Sequence, residues 1–388
     1  MQSGLDRLLR FHRKLIQNKR VALLAHPASV DKHLHHALEV LREESSAKLV
    51  ALFGPEHGIH GQAQDMESVG ASTYQGIPVY SLYGKEEASL KPTRDSLAEV
   101  EVLICDLQDV GARYYTFIYT IAFCMEVAAQ TGTKVVVLDR PNPINGHQVE
   151  GNLVAPDFRS FVGWFPLANR HGMTVGELAV MFQKEFGIAC DLTVIPMKGW
   201  HRRRYMDEID IPWIFPSPNM PTVDAAVVYP GMCLIEGTEL SEGRGTTRPF
   251  EIFGAPYIDP EALVKRLGEF RLPGVRFRPL YFKPGFQKYA GQFCGGAQLH
   301  VTRRRTFKSL LTGVAVLKAA QDLYPKDFQY RNRAYEFVDK IPAIDLLAGN
   351  AKLREQIEKG VSLKDIEGSW EDERQSFLEK RKKYLIYT

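Results

Sequence analysis

Four apolar, β-branched runs in the first 141 residues limit most strongly what this chain can become: RVALLAH (20–26), KLVALFG (48–54), VEVLICDLQD (100–109) and KVVVLDRP (134–141). A strand that is apolar on both faces must be covered on both, which implies a parallel sheet between two layers of helix. The stretches between the runs fit crossover helices. FIYTIAFCMEVAAQTG (117–132) is the clearest, because it stops at Gly132 as a helix with a glycine cap should. TVGELAVMFQKEFG (174–187) and DLTVIPM (191–197) extend the alternation, and AAVVYPGMCLIEGT (225–238) reads as one more strand. The expected fold class is α/β: a Rossmann-like, doubly wound, mostly parallel sheet.

After about Pro249 the texture changes to shorter strands, GVRFRPLYF (274–282) and GGAQLHVT (295–302), followed by a helix over 306–323. This predicts a smaller α+β C-terminal domain. The expected division is 1–245 as the Rossmann-like catalytic domain and 246–388 as an auxiliary domain closing a cleft, with SEGRGTTRP at the junction. The charged segment 370–384 reads as a partly exposed helix.

The 388 residues, 45% of them apolar, are enough for such a core. A net charge of +3 with Lys and Arg spread along the chain is no nucleic-acid signature, although RRR occurs at 202–204 and again at 303–305. Cys105, Cys124, Cys190, Cys233 and Cys294 lie far apart in apolar strings without a CxxC pair, and read as buried free thiols of a reducing compartment. The amino terminus shows no signal peptide, and no apolar run approaches the roughly 20 residues of a membrane helix. The expectation is a cytoplasmic protein with no membrane insertion, or a secreted one if a leader has been removed.

Chemistry is expected where strands end, because there the backbone is held and side chains reach the crevice. GPEHGIHGQAQD (54–65) presents Glu56, His57 and His60, with Pro55 stiffening the approach and Gly54, Gly58 and Gly61 permitting tight turns. CDLQDVGARYYT (105–116), LDRPNPINGHQVEG (138–151) and LIEGTELSEGRGTTRPFE (234–251) are the other polar strings. Two carboxyls brought together could divide the work of acid and base or nucleophile, as in glycosidases. Read alone, Asp106 and Asp109 fit capping or ion pairing as well as catalysis. Glu242, among Ser241, Gly243, Arg244 and Gly245, looks more functional. Arg113, Arg140 and Arg244, beside Tyr114, Asn142 and Thr246, would suit an anionic substrate group, or would merely neutralise neighbouring carboxylates.

His57, His60 and Asp65 form a conceivable metal set, yet the proline and glycine around them describe a turn rather than a helix that aims two imidazoles one way. His171, before a helix, fits a capping or core histidine better than a ligand contact. No GxGxxG follows the early strands, GRGTTR fails at its last glycine and no Walker A string occurs, so no cofactor is expected and a nicotinamide oxidoreductase ranks last.

Taken together, GPEHGIHG, PVYSLYG (78–84), DLQDVGARYYT, LDRPNPING, RHGMTVGEL (170–178), PSPNMPT and EGTELSEGRGTTRPFE with GAP at 254–256 resemble the exo-β-N-acetylmuramidase family, the NamZ-type glycosidases. The resemblance runs from LDRLL near residue 5 to IPAIDLL near 341. It implies a Rossmann-like domain with a smaller C-terminal domain, a site in the cleft between them, and release of N-acetylmuramic acid from the non-reducing end of peptidoglycan fragments by hydrolysis of its β-1,4 link to N-acetylglucosamine. It also implies Glu56 as catalytic acid and Glu242 as its partner. Substrate contacts are expected from His57, Asp106, Arg113, Tyr114, Arg140, Asn142, Glu236, Arg244 and Thr246, with Glu236 and Asp106 as reserve carboxyls. The alternatives are a non-catalytic muropeptide-binding protein and a metal-dependent hydrolase using His57, His60 and Asp65.

Overall fold

The computed structural model describes residues 1–44, 46–59 and 72–388. Among the described residues ten strands follow in chain order: β1 (Arg20–Ala25), β2 (Lys48–Gly54), β3 (Ser72–Tyr74), β4 (Ile77–Ser81), β5 (Val102–Asp106), β6 (Lys134–Leu138), β7 (Leu192–Ile195), β8 (Ile252–Ala255), β9 (Val275–Phe282) and β10 (Cys294–Val301). The first seven make one sheet in the order β3-β4-β2-β1-β5-β6-β7, in which only β3 runs antiparallel to its neighbour. Without that edge strand, the parallel strands stand 3-2-1-4-5-6, the doubly wound order.

The apolar runs lack visible alternation because both faces are buried, and the structure separates the two faces residue by residue. Val21, Leu23 and Ala25 pack with Leu52, Ile104 and Val136 under the helices Gly4–Phe11 and Ala37–Glu43. Ala22 and Leu24 pack with Phe53, Leu103, Cys105 and Val137 on the other face, against the buried helix Phe117–Thr131. That helix ends at Gly132 in the left-handed conformation, φ 76°.

The C-terminal half is an antiparallel sheet, β8-β10-β9, with the helices Pro260–Glu269 and Ser309–Leu323. The expected strand over 225–238 is instead the helix Val223–Met232 followed by the 3-10 turn Cys233–Gly237, a correction with a clear cause. Every residue of this helix except Asp224 is buried, so periodicity could not separate helix from strand, while Thr222 caps it by accepting from the Ala225 N–H. The helix crosses Ser309–Leu323 at two glycines: a Cβ at Gly231 would lie 1.8 Å from the Ser309 carbonyl oxygen, and one at Gly313 2.0 Å from that of Gly231.

The charged C-terminal helix, Glu371–Lys382, buries Phe377 and Arg381. Arg381 donates to the carbonyl of Gly172 at 2.8 Å, and the Tyr387 hydroxyl to Asp139 at 2.5 Å, so the end of the chain lies against the first half of the molecule. All five cysteines are buried and unpaired. Among the described residues no helix is long and apolar enough to cross a membrane.

Candidate active site

A cavity of about 200 Å³ opens beyond the carboxyl ends of β2 and β5, closed on its far side by segments around 236–250, 287–288 and 331–336. Strand β2 delivers Glu56 into it through a turn closed by the Gly58 N–H on the Pro55 carbonyl at 2.9 Å. The turn folds back on the strand so tightly that a Cβ at Gly54 would meet the Ile59 nitrogen at 2.6 Å. His57, at φ 71°, takes the left-handed conformation that a non-glycine residue enters at a cost of about 1 to 2 kcal/mol.

Glu56 is half-buried, and the hydroxyl of Thr116 donates to its Oε2 at 2.8 Å. Thr116 heads the buried helix after β5, and Tyr114 and Tyr115, just before it, also line the cavity. The hydroxyl of Tyr114 donates to the carbonyl of Pro230. Two rigid elements therefore fix the position of the Glu56 carboxyl.

Opposite lies a carboxylate and cation network. Arg244 donates from Nη2 to Glu236 Oε1 at 2.7 Å, and its Nε stands 3.3 Å from Glu242 Oε1. Lys288 Nζ donates to Glu242 Oε2 at 3.0 Å and to the carbonyl of Leu240 at 2.9 Å. The Tyr335 hydroxyl donates to Glu236 Oε2 at 2.9 Å. The guanidinium of Arg244 also lies over the ring of Phe250, 5.2 Å from its centroid. Burial alone would push the Glu242 carboxyl up, but Lys288 and Arg244 outweigh it and hold it below the usual range. Glu242 is therefore held as an anion, whereas Glu56 has no arginine or lysine partner among the described residues and accepts only the Thr116 hydroxyl there.

Glu56, His57, Tyr114, Glu236, Glu242 and Arg244 thus meet at one cavity. Five other candidates change their reading with their placement. Asp106 receives Arg140 Nε at 2.5 Å and Nη2 at 2.7 Å in a buried pair at the ends of β5 and β6. Arg113 is fully buried and donates to the carbonyls of Asn152, Leu167, Leu347 and Ala348. Asn142 bridges the Met173 carbonyl and the Ile144 N–H, and the Thr246 hydroxyl closes its own turn on Gly243. None of these five lines the cavity, because each side chain satisfies buried backbone or a neighbouring charge. His171 is buried 3.2 Å from Asp109, the core fate expected of it.

Among the lining residues that sequence reading missed are Thr116, Lys288, Arg331, Arg333, Tyr335 and Glu336, with Ser217 and Asn219. Ser217 and Asn219 lie inside PSPNMPT. YRNRAYEF (330–337), which alternates arginines with aromatics outside any strand or helix period, was the available signal for those of 331–336. Among the described residues no three His, Cys, Asp or Glu side chains are placed to hold a metal; His60 and Asp65 lie outside them.

Two family models cover the chain: exo-beta-N-acetylmuramidase NamZ, N-terminal, over 21–224, and its C-terminal counterpart over 227–387. A peptidoglycan beta-N-acetylmuramidase NamZ of Bacillus subtilis (strain 168) is 47% identical over 389 residues, 100% of this chain and 91% of that protein. Two crystal structures of DUF1343 family proteins from Bacteroides fragilis NCTC 9343 superpose with TM-scores of 0.90 and 0.79 at 34% and 30% identity, each covering 100% of this chain and 99% of the other. With both models matched in order and a relative of that identity along its whole length, this chain belongs to the NamZ family of exo-β-N-acetylmuramidases.

Proposed function

We propose that this protein is an exo-acting glycoside hydrolase that removes N-acetylmuramic acid from the non-reducing end of peptidoglycan fragments by cutting its β-1,4 link to N-acetylglucosamine. The observation that carries this reading is the full-length identity of 47% to a protein named as a peptidoglycan β-N-acetylmuramidase. The shape of the site supports it: about 200 Å³, below the usual range for drug-sized ligands, suits one terminal ring better than a run of sugars.

In the reaction, Glu56 is the general acid that protonates the departing glycosidic oxygen. It holds its place through Thr116 and is paired with no arginine or lysine among the described residues. Glu242, kept anionic by Lys288 and Arg244, faces the developing positive charge at the anomeric carbon or the 2-acetamido group. Glu236 positions Arg244, and Tyr114 and His57 form the wall around the sugar. Peptidoglycan-derived saccharides are the substrate class. Five unpaired thiols favour a reducing compartment, which cell fractionation tests.

The decisive experiment is hydrolysis of a β-linked N-acetylmuramic acid aryl glycoside by the protein and by Glu56→Gln. Release of aglycone by the former, and loss of a factor of about 10² to 10⁴ in the latter, is expected. A fully active, folded Glu56→Gln protein would retire Glu56 as the acid. Binding of the disaccharide without turnover would instead favour a muropeptide-binding protein.

A further inference from the structure

Among the described residues, four basic side chains of arginine or lysine line the cavity, and their electrostatic situations differ. Arg244 is shared between Glu236 and Glu242, and Lys288 rests on Glu242. Arg333 lies at the rim, 60% exposed and 4.0 Å from Glu239. Arg331 is only 8% exposed and has no carboxylate within ion-pairing distance among the described residues. Its Nη2 donates to the carbonyl of Ala334 at 2.9 Å, while its Nε, buried, has no hydrogen-bond partner among the described residues.

The position is well held. The Arg331 N–H donates to the Gly237 carbonyl at 2.9 Å, and Thr238 bridges to Tyr330, so the segment lies alongside the stretch that carries Glu236. The guanidinium stands over the ring of Tyr335, 5.2 Å from its centroid, and the hydroxyl of that tyrosine is bonded to Glu236. Cation–π contact and one carbonyl do not replace the hydration that a guanidinium loses on burial; an anion does. A planar fork with unused donors is matched by a carboxylate.

We propose that Arg331 is the specificity-determining residue that reads the lactyl carboxylate of the N-acetylmuramyl ring. This rests on the proposed function, because that carboxylate is the one charged group separating N-acetylmuramic acid from N-acetylglucosamine. Arg244, the cleft arginine legible in the sequence, is already bonded to two glutamates, so the guanidinium of Arg331, which has no carboxylate partner among the described residues, is the one complementary to the substrate anion. Arg331 takes no part in bond breaking; it selects the sugar.

The test compares three aryl β-glycosides: of N-acetylmuramic acid, of the same sugar with its lactyl carboxyl capped as a methyl amide, and of N-acetylglucosamine. The protein should prefer the first over the other two by about 10²-fold in kcat/KM, the scale of a buried hydrogen-bonded charge pair. Arg331→Met, which keeps the apolar stem over Tyr335, should lose about 10²-fold on the acid, mainly through KM, and little on the other two. Arg331→Lys should recover part of the preference. A folded Arg331→Met protein that keeps the full preference overturns the assignment. Should Arg331→Met fail to fold, inhibition of the unaltered protein by free N-acetylmuramic acid against its methyl amide, together with the Arg331→Lys ratio, decides: equal inhibition and an unchanged ratio overturn it. Absence of turnover on every glycoside would count against the proposed function alone, and calorimetric titration of N-acetylmuramic acid into the protein and into Arg331→Met would still read the contact. Equal affinities there would overturn it.

Discussion

Two polar clusters at strand ends invite comparison: one around β1, β5 and β6, the other in the cavity beyond β2. The first occupies the switch point of the doubly wound sheet, between β1 and β5, where this fold commonly receives a ligand. Here it is filled by protein. The backbone N–H groups of Gln108 and Ala28 stand 2.6 Å from Nε2 and 3.0 Å from Nδ1 of the fully buried His26, whose neutral ring accepts at one of the two nitrogens, and burial lowers its pKa. Ser29 bonds the Asp106 carbonyl, Arg140 neutralises Asp106, and Asp139 accepts four donors, from Arg140, Gly176, Thr174 and Tyr387. In the second cluster Glu56 holds one hydroxyl and Arg331 an unpartnered nitrogen. The difference teaches that polarity at a strand end does not identify a site; incomplete satisfaction beside open volume does.

Exchanging the consequences of substitution between the clusters would break this comparison. The largest expected effect is in the cavity: Glu56→Gln should cost a factor of about 10² to 10⁴ in kcat with a nearly unchanged Tm, measured by aglycone release and thermal denaturation. Arg140→Met should do the reverse. It strands the buried Asp106 and should cost about 3 to 5 kcal/mol of stability in denaturant titration, while the folded fraction keeps its sugar preference. A change of preference without loss of stability would move Arg140 into the site.

Smaller effects sharpen the contrast. Thr116→Val removes the hydroxyl that holds Glu56 Oε2, and about a tenfold loss of kcat is expected, with the KM for the glycoside little altered. At the filled cluster, burial pushes the Asp139 carboxyl up to about 7, opposed by hydrogen bonds from Tyr387, Gly176 and Thr174. The pKa of an unfolded Asp is about 3.9, so the stability contributed by this group is full below that value and is lost as pH rises through about 7. Asp139→Asn should therefore show a narrower difference in Tm between pH 5 and pH 8 than the unaltered chain, by scanning fluorimetry. An identical difference in both proteins would assign the pH dependence elsewhere.

Much of the architecture is legible in the sequence. The unbroken apolar runs of β1, β2, β5 and β6 could only be strands covered on both faces, and Gly132 marked a helix stop at its observed place. The run at 225–238 failed for the same reason that the others succeeded: full burial erases periodicity, and the Gly231–Gly313 crossing that makes it a helix lies 82 residues apart in sequence. Arg113, Arg140 and Arg244 looked alike as arginines in glycine-rich or proline-rich strings. Their partners, Leu347 and Ala348 for one, Asp106 for another, Glu236 and Glu242 for the third, are set by chain crossings that local sequence does not encode.

The amino-acid sequence by itself determined the α/β class, the family and the presence of Glu56 on a turn after a buried strand, because each depends on short-range pattern and on motif identity. Which carboxylate is held charged and which cavity arginine has no counterion among the described residues were decided only by the tertiary structure. Both depend on distances of about 3 Å between groups from the 236–250, 288 and 331–336 segments, and a charge a few ångströms from its partner behaves unlike the same charge buried alone.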